Sequence, residues 1–259
     1  MRPEAAAAAR LFPFEFGKYR VEAGVGEQDL ARGLGLRALC FRAGEGDDRD
    51  DFDPRALHVT LSEMAGGRVV AGYRLILAPA DQIEQSYAAQ FYNLSRLAGF
   101  AQPTLELGRF ALHPKAQDPD ILRLCWAALT RIVDACDIGL LFGCSSFAGT
   151  APEPHLDALR WLAGHHMPPP LWAPQRRGAL AIELAAIQGA MPSQHLAMRA
   201  MPPLLRTYLG MGGWVSDHAV VDPDLNTLHV FTAVEIARIP PVRARALREI
   251  ARLLPPAGD

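Results

Sequence analysis

The decapeptide LELGRFALHP, Leu105–Pro114, reads as an apolar strand that nevertheless carries a carboxylate, Glu106, and a guanidinium, Arg109, three residues apart. An unpaired buried charge is expensive, so each must have a partner or a task. Arg74 in GYRL and the aspartates Asp50 and Asp53 in the loop GEGDDRDDFDP are of the right type to answer, because a guanidinium forms bidentate pairs with carboxylates. A glutamate of ordinary pKa, about 4.3, is a poor base unless burial raises it. Glu106 therefore reads as a proton acceptor in a dry site, directly or through water, or as an anchor for a cation. A buried ion-pair network is the plain structural alternative for the same charges.

Other chemistry-bearing groups exclude function classes. Cys40, Cys125, Cys136 and Cys144 form no CxxC pair and sit in apolar segments, as reduced core cysteines do. His165 and His166 are neighbours, poorly spaced for one helix face. His195, His218 and His229 lack matching carboxylate spacing, so no metal site is expected. The stretch GCSSFAG holds Ser145 and Ser146 but is not the G-x-S-x-G elbow of a hydrolase.

The chain has 259 residues, 50% of them hydrophobic, and a formal charge of −2, so nothing in its composition favours a nucleic-acid partner. No apolar run reaches the roughly 18 to 20 residues that cross a bilayer, and MRPEAAAAARLFPF lacks a signal-peptide core; a cytoplasmic location is expected.

Residues 1–16 are alanine-rich and expected to be loosely ordered. Lys18 to Val21 reads as a short strand, and Asp29 to Ala43 as a helix with Asp29 as N-cap. Ala56–Met64 and Arg68–Leu77 read as strands of a hairpin about Ala65-Gly66-Gly67. Ser86 to Phe100 is aromatic and helical or irregular, and Thr104 to Leu112 is the strand with which the argument began. Asp118-Pro119 supplies an N-cap and an N1 proline for a helix over about residues 118–136. Ile138–Phe147 is a strand buried on both faces, and EPHLDALRWLAGHH a helix. Pro202–Gly213 reads as a helix, WVSDHAVVD and TLHVFTAVEIARI as strands about DPDLN, and PVRARALREIARLL as an amphipathic basic helix. This order implies one mixed α/β (α+β) domain, with antiparallel and parallel pairing in one sheet.

The element order resembles the GNAT acyltransferase fold. Its residues resemble the branch that includes acyl-homoserine-lactone synthases and the ornithine N-acyltransferases of ornithine-lipid biosynthesis. Arg37 and Phe41 in LRALCF, Asp50 and Asp53 in DDFD, Arg74 in GYRL, and Glu106 with Arg109 in ELGRF match that branch in order and local spacing. LLFGCSSFAGT, PPLLRTYLGMGGWV and AVVDPDLNTLHVF resemble its ornithine-acyltransferase side. The resemblance covers roughly residues 17–240 and implies a GNAT-like twisted mixed sheet flanked by helices, followed by a basic C-terminal helix and tail over residues 241–259. One departure bears on the donor. GNAT acetyltransferases place a glycine-bearing loop after the central strand to hold the pyrophosphate of coenzyme A. Here that place is taken by HPKAQDPDILRL, without a glycine.

The resemblance implies transfer of a (3-hydroxy)acyl chain to the α-amine of ornithine, with no cofactor beyond the phosphopantetheine of acyl carrier protein. Glutamine as acceptor, a homoserine-lactone synthase using S-adenosylmethionine, and a non-catalytic acyl-carrier binder are the alternatives. Such transfer needs a neutral amine, a placed thioester and stabilisation of the oxyanion. Glu106 and Arg109 are the expected catalytic pair, and Arg37, Phe41, Asp50, Asp53 and Arg74 are expected to bind substrate. Phe91, Ser145, Ser146 and Phe147 are expected along the acyl or pantetheine channel. Arg243, Arg245, Arg248 and Arg252, or Arg123 and Arg131, offer basic surface to carrier protein or to the inner face of a membrane.

Overall fold

The computed structural model describes residues 3–178 and 180–255. Residues 1, 2 and 256–259 of the two terminal segments lie outside the described residues. From the N-terminus run α1 (Pro3–Ala9), β1 (Phe14–Phe16), β2 (Tyr19–Gly24), α2 (Glu27–Phe41), β3 (Leu57–Glu63) and β4 (Val69–Ala78). Next come β5 (Tyr92–Asn93), β6 (Thr104–Leu112), α3 (Pro119–Ala135), β7 (Leu140–Ala148), α4 (Leu156–His165), β8 (Gln175–Arg176) and β9 (Ala181–Glu183). The chain continues through α5 (Gln194–Ala200), α6 (Pro203–Gly210), β10 (Trp214–Asp222), β11 (Thr227–Glu235) and α7 (Pro241–Arg252).

The chain gathers into two compact units. The first takes the residues up to Ala78, Leu105–Ile138 and those from Pro241 onward; the second takes Pro79–Thr104 and Gly139–Pro240. Each unit is assembled from separated stretches, which is why no linker in the sequence marks a boundary.

In the first unit the strand order is β1-β2-β3-β4-β6, with β1–β2, β2–β3 and β3–β4 antiparallel. The turn between β3 and β4 holds Gly66 and Gly67 at φ 84° and 66°, a left-handed geometry that side chains with a Cβ disfavour. Cross-strand partners share a face, so the pairs His58↔Arg74 and Thr60↔Gly72 point one way and Val59↔Tyr73 the other. Helix α2 lies on the first face: a Cβ at Gly72 would touch Leu36, and one at Gly33 would touch Thr60. Helix α3 lies on the second, where the Tyr73 hydroxyl donates to the Cys125 carbonyl oxygen at 3.1 Å.

Two expectations need correction here. The alanine-rich start is helix α1, which buries Ala5 and Ala8. Helix α2 begins two residues before Asp29, with Gly26 as its N-cap; Asp29 sits at the third helical position and accepts the Gly26 N–H at 3.0 Å. Helix α3 starts where the sequence placed it, with the Asp118 side chain accepting the Asp120 N–H.

In the second unit the strand order is β7-β11-β10-β9, and every pair is antiparallel. One face carries Leu140, Phe142, Phe231 and Ala233 beneath the aromatic segment that includes Ala88, Tyr92 and Leu97. The other carries Phe147, Leu228 and Val230 beneath α4, α5 and α6. Helix α5 and strand β9 are elements that the sequence reading did not contain.

Candidate active site

In a regular strand, residues three apart point to opposite faces, so Glu106 and Arg109 should diverge. Arg109 prevents this by adopting φ 51° in mid-strand, a left-handed conformation that costs a non-glycine residue about 1–2 kcal/mol. Gly108 lies on the α2 face, since a Cβ there would meet Arg74 Nε at 3.4 Å, and alternation puts Glu106 on that face too. The kink then turns Arg109 onto the same face and sends Phe110 to the other, where it stacks on Tyr73 at 5.4 Å. A bulge-like break therefore brings both charges to one side. Glu106 is 2% exposed.

Around them lies an ion-pair network of three aspartates and four arginines. Arg37, from α2, donates to Asp48 Oδ2 at 3.0 Å and to both oxygens of Asp53 at 2.7 and 3.1 Å. Arg74, from β4, donates to Asp53 Oδ1 at 2.8 Å and also bonds Asp50 Oδ1. Arg109 donates to Asp48 Oδ2 at 2.9 Å and Asp50 Oδ2 at 3.2 Å. Arg42 donates to Asp48 Oδ1 at 3.0 Å. The Phe41 ring lies 5.8 Å from the Arg109 guanidinium carbon, a cation–π contact. Burial alone would raise the pKa of Asp53, but hydrogen bonding and attraction from Arg37, together with Arg74, outweigh it and hold the carboxyl at about 2.

The acceptor sites separate the aspartates. A carboxylate offers about four lone-pair positions. Asp53 fills its positions with Arg37 at both oxygens, Arg74, and the Asp50 N–H at 3.0 Å. Asp48 is fully buried beneath its three arginines. Asp50 Oδ1 accepts from Arg74 and from the Phe52 N–H at 2.9 Å, while its Oδ2, among the described residues, accepts from Arg109. With 20% of its side chain exposed, against 0% and 1% for Asp48 and Asp53, Asp50 is the network aspartate that reaches solvent. Arg37, Asp53 and Arg74 hold the network, whereas Asp50 can also meet a ligand. Asp48 was missing from the sequence reading, because nothing in the spacing of GEGDDRDDFDP shows which acid turns inward.

The N-terminus of α3 is already occupied. Asp118 Oδ1 accepts the Asp120 N–H at 3.0 Å, and its Oδ2 receives Tyr19 at 2.9 Å and Lys18 at 2.9 Å. A carboxylate thus sits where GNAT enzymes with a pyrophosphate loop would present bare N–H groups to an anion.

The second unit holds the remaining expected site residues, and they do not converge. Ser145 pairs with Val230 and Ser146 with His229 across β7–β11, so adjacent serines face opposite sides of the sheet. Ser145 is buried and accepts the Thr232 hydroxyl at 2.9 Å, and Phe147 belongs to the core beneath α4 to α6. Ser146 and Phe91 lie on the other face, with Phe91 edge-on to His229 at 4.7 Å. The SSF residues therefore divide between the faces, Ser145 and Phe147 on one and Ser146 on the other. On that face Tyr92 Oη donates to the His229 carbonyl oxygen at 3.0 Å and stands 3.0 Å from its Nδ1. One hydroxyl proton cannot serve both, so Nδ1–H donates to the phenol and Nε2 is left as a buried acceptor without a partner among the described residues. Burial, and His218 nearby, push the His229 pKa down to about 4.

Of the basic residues, Arg131 is used internally, donating to the Leu254 carbonyl oxygen at 3.0 Å, and Arg248 pairs with Asp134 at 2.9 Å. Arg123 reaches Asp120 at 3.6 Å. Arg243, Arg245 and Arg252 are exposed on α7.

A family model described as an acetyltransferase (GNAT) domain matches residues 39–127. The chain is 34% identical over 194 residues to the L-ornithine N(alpha)-acyltransferase of Rhodobacter capsulatus, spanning 73% of this chain and 74% of that one. It is 29% identical over 223 residues to the protein of that name in Brucella abortus, spanning 80% and 76%. Among solved structures it is similar to FeeM, an N-acyl amino acid synthase from uncultured soil microbes, at 11% identity and a TM-score of 0.44 over 90% of this chain and 97% of that one.

Proposed function

The chain belongs to the L-ornithine N(alpha)-acyltransferase family, and from that premise we propose that it moves a (3-hydroxy)acyl chain from the phosphopantetheine thioester of acyl carrier protein to the α-amine of ornithine. The observation that carries the reading is 34% identity over 73% of the chain. The geometry supports it by gathering Glu106, Arg109 and the solvent-reaching carboxylate of Asp50 on one face of the first unit.

In this reaction the amine nitrogen attacks the thioester carbonyl, the C–S bond breaks, and the amine proton leaves as the thiol forms. Glu106 is the group suited to take that proton, being a carboxylate buried on the network face. Arg109 fixes the Asp50 and Asp48 carboxylates, and the kink at its own φ turns it to the face that Glu106 occupies.

Carrier protein as donor is supported by the α3 N-terminus, where Asp118 leaves little place for a pyrophosphate. A single phosphate on a tethered pantetheine does not need that cradle. The exposed arginines Arg243, Arg245 and Arg252 suit an acidic carrier surface or anionic headgroups at a membrane's inner face. No helix among the described residues is long and apolar enough to cross a membrane.

The test offers purified protein 3-hydroxyacyl-carrier protein and an equal mixture of ornithine, glutamine, lysine and S-adenosylmethionine, with acyl-coenzyme A as a parallel donor, and reads products by mass spectrometry. N-acyl-ornithine from the carrier-bound donor is the expected product; acylation of another amine, or from coenzyme A alone, would replace that substrate. Glu106→Gln should lower turnover by about 100-fold or more while leaving acyl-carrier binding intact. Unchanged turnover removes Glu106 from the chemistry.

A further inference from the structure

A pocket of about 320 Å³ opens in the first unit, bordered by Gly26, Glu27 and Leu30 of the α2 start, by Arg49, Asp50, Asp53 and Pro54 of the acidic loop, and by His58 of β3. Its size falls at the lower end of the roughly 300–1,000 Å³ of small-molecule sites. Neither Glu27 nor His58 has a part in the ion-pair network.

His58 is 6% exposed. Its Nε2 lies 3.0 Å from the Asp53 carbonyl oxygen. A carbonyl can only accept, so Nε2 carries the proton and Nδ1 is left as an acceptor. Among the described residues the side chain's hydrogen bond is the one through Nε2. Burial lowers the His58 pKa below its ordinary value of 6.5, which keeps the imidazole neutral and that lone pair available at pH 7. An imidazole lone pair on a side chain at the wall of an open pocket suits a donor from a guest.

The same pocket offers two further acceptors. Asp50 Oδ2, among the described residues, takes Arg109. Glu27 is 68% exposed on its side chain and is held by Arg49 at 2.5 Å, while Arg49 also pairs with Asp47 at 3.0 Å. Arg49 can therefore give up Glu27 to a guest cation and stay paired with Asp47. A primary ammonium has three N–H donors and no acceptor, and the side chains of Asp50, His58 and Glu27 line the pocket.

We propose that this pocket holds the side-chain ammonium of the acceptor amino acid, with Asp50, His58 and Glu27 as its three acceptors. The proposal rests on the acyl-transfer reading for the identity of the guest. It assigns His58 and Glu27 to substrate recognition and makes the pocket the selector of diamino acids over those with neutral side chains.

The test compares ornithine with norvaline, which lacks only the side-chain amine, in the full-length protein with its working acyl donor. The wild type should use ornithine at least 100-fold better in kcat/KM. Glu27→Gln and His58→Phe should each raise the ornithine KM by 10-fold or more and bring the ornithine to norvaline ratio of kcat/KM towards one. Glu27 is exposed, so its variant remains informative where His58→Phe folds poorly. Equal use of norvaline by the wild type, or an unchanged ornithine to norvaline ratio in both variants, overturns the proposal. Acylation of no amine at all would defeat the acyl-transfer reading instead. Calorimetric titration with ornithine against norvaline then decides the pocket without turnover, and equal or absent binding of both overturns it.

Discussion

The two units bury polar groups by opposite means. The first places arginines and aspartates in a network where each carboxylate meets several guanidinium donors. The second buries the imidazole of His229 among aromatic rings, against Phe91 and Tyr92, and leaves its Nε2 acceptor without a partner among the described residues. Paired charge tolerates burial because each ion answers another, but it fails badly when one member is removed. A neutral imidazole costs less to bury, but it fails when it is protonated. The first arrangement is sensitive to mutation and the second to acid.

The largest expected effect follows from the first half of that contrast. Arg37→Met leaves Asp48 and Asp53 each short of a buried partner and should cost about 3–5 kcal/mol, read as a fall in the denaturant midpoint. A loss under about 1 kcal/mol would mean that water or Arg74 takes over, and the network would no longer differ in kind from the buried imidazole.

The second half predicts where acid acts. The folded pKa of His229, about 4, lies below its ordinary 6.5. The unfolded chain therefore takes up a proton first as pH falls, so this stabilisation is complete above about 6.5 and lost by about 4. At about 1.4 kcal/mol per pKa unit the loss approaches 3 kcal/mol. His58 and His166, also lowered, add to it in the same direction. Asp53, lowered from 3.8 to about 2, keeps its contribution until pH falls through that lower window. Urea titrations at pH 7, 5 and 4 should show stability already falling, and His229→Phe should flatten that slope. An unchanged slope in the variant would remove His229 as the cause.

How far the sequence revealed this depended on the physics at each place. Strand β6 and helix α3 were legible to the residue or nearly so, because an apolar run and a Ser/Asp-type cap followed by proline are local signals. The positive φ of Arg109 was not, because it is fixed by the partners Asp48 and Asp50 about sixty residues away. The types and order of Arg37, Asp50, Asp53, Arg74, Glu106 and Arg109 pointed to one charge cluster, but the division of its carboxylates into buried and solvent-reaching ones needs coordinates. His58 escaped notice because a lone histidine in ALHVTL carries no spacing signal; its role depends on the Asp53 carbonyl oxygen. Helix α1 was missed because alanines alone give no amphipathic contrast.

The smallest effect tests whether the second unit's serines are structural. Ser145 and Ser146 looked equivalent in sequence, yet pleating gives them different surroundings. Ser145 lies buried, with its oxygen accepting the Thr232 hydroxyl at 2.9 Å, and Thr232 has a longer alternative at the Val230 carbonyl oxygen, 3.5 Å away. Removing the serine oxygen should therefore cost only about 1 kcal/mol, near the typical net worth of one hydrogen bond. Ser145→Ala should lower the midpoint of unfolding slightly and leave kcat and the donor KM unchanged. A collapse of turnover without loss of stability would place Ser145 against the acyl donor, and the second unit would then share in the chemistry that its buried serine, on present geometry, only supports from within.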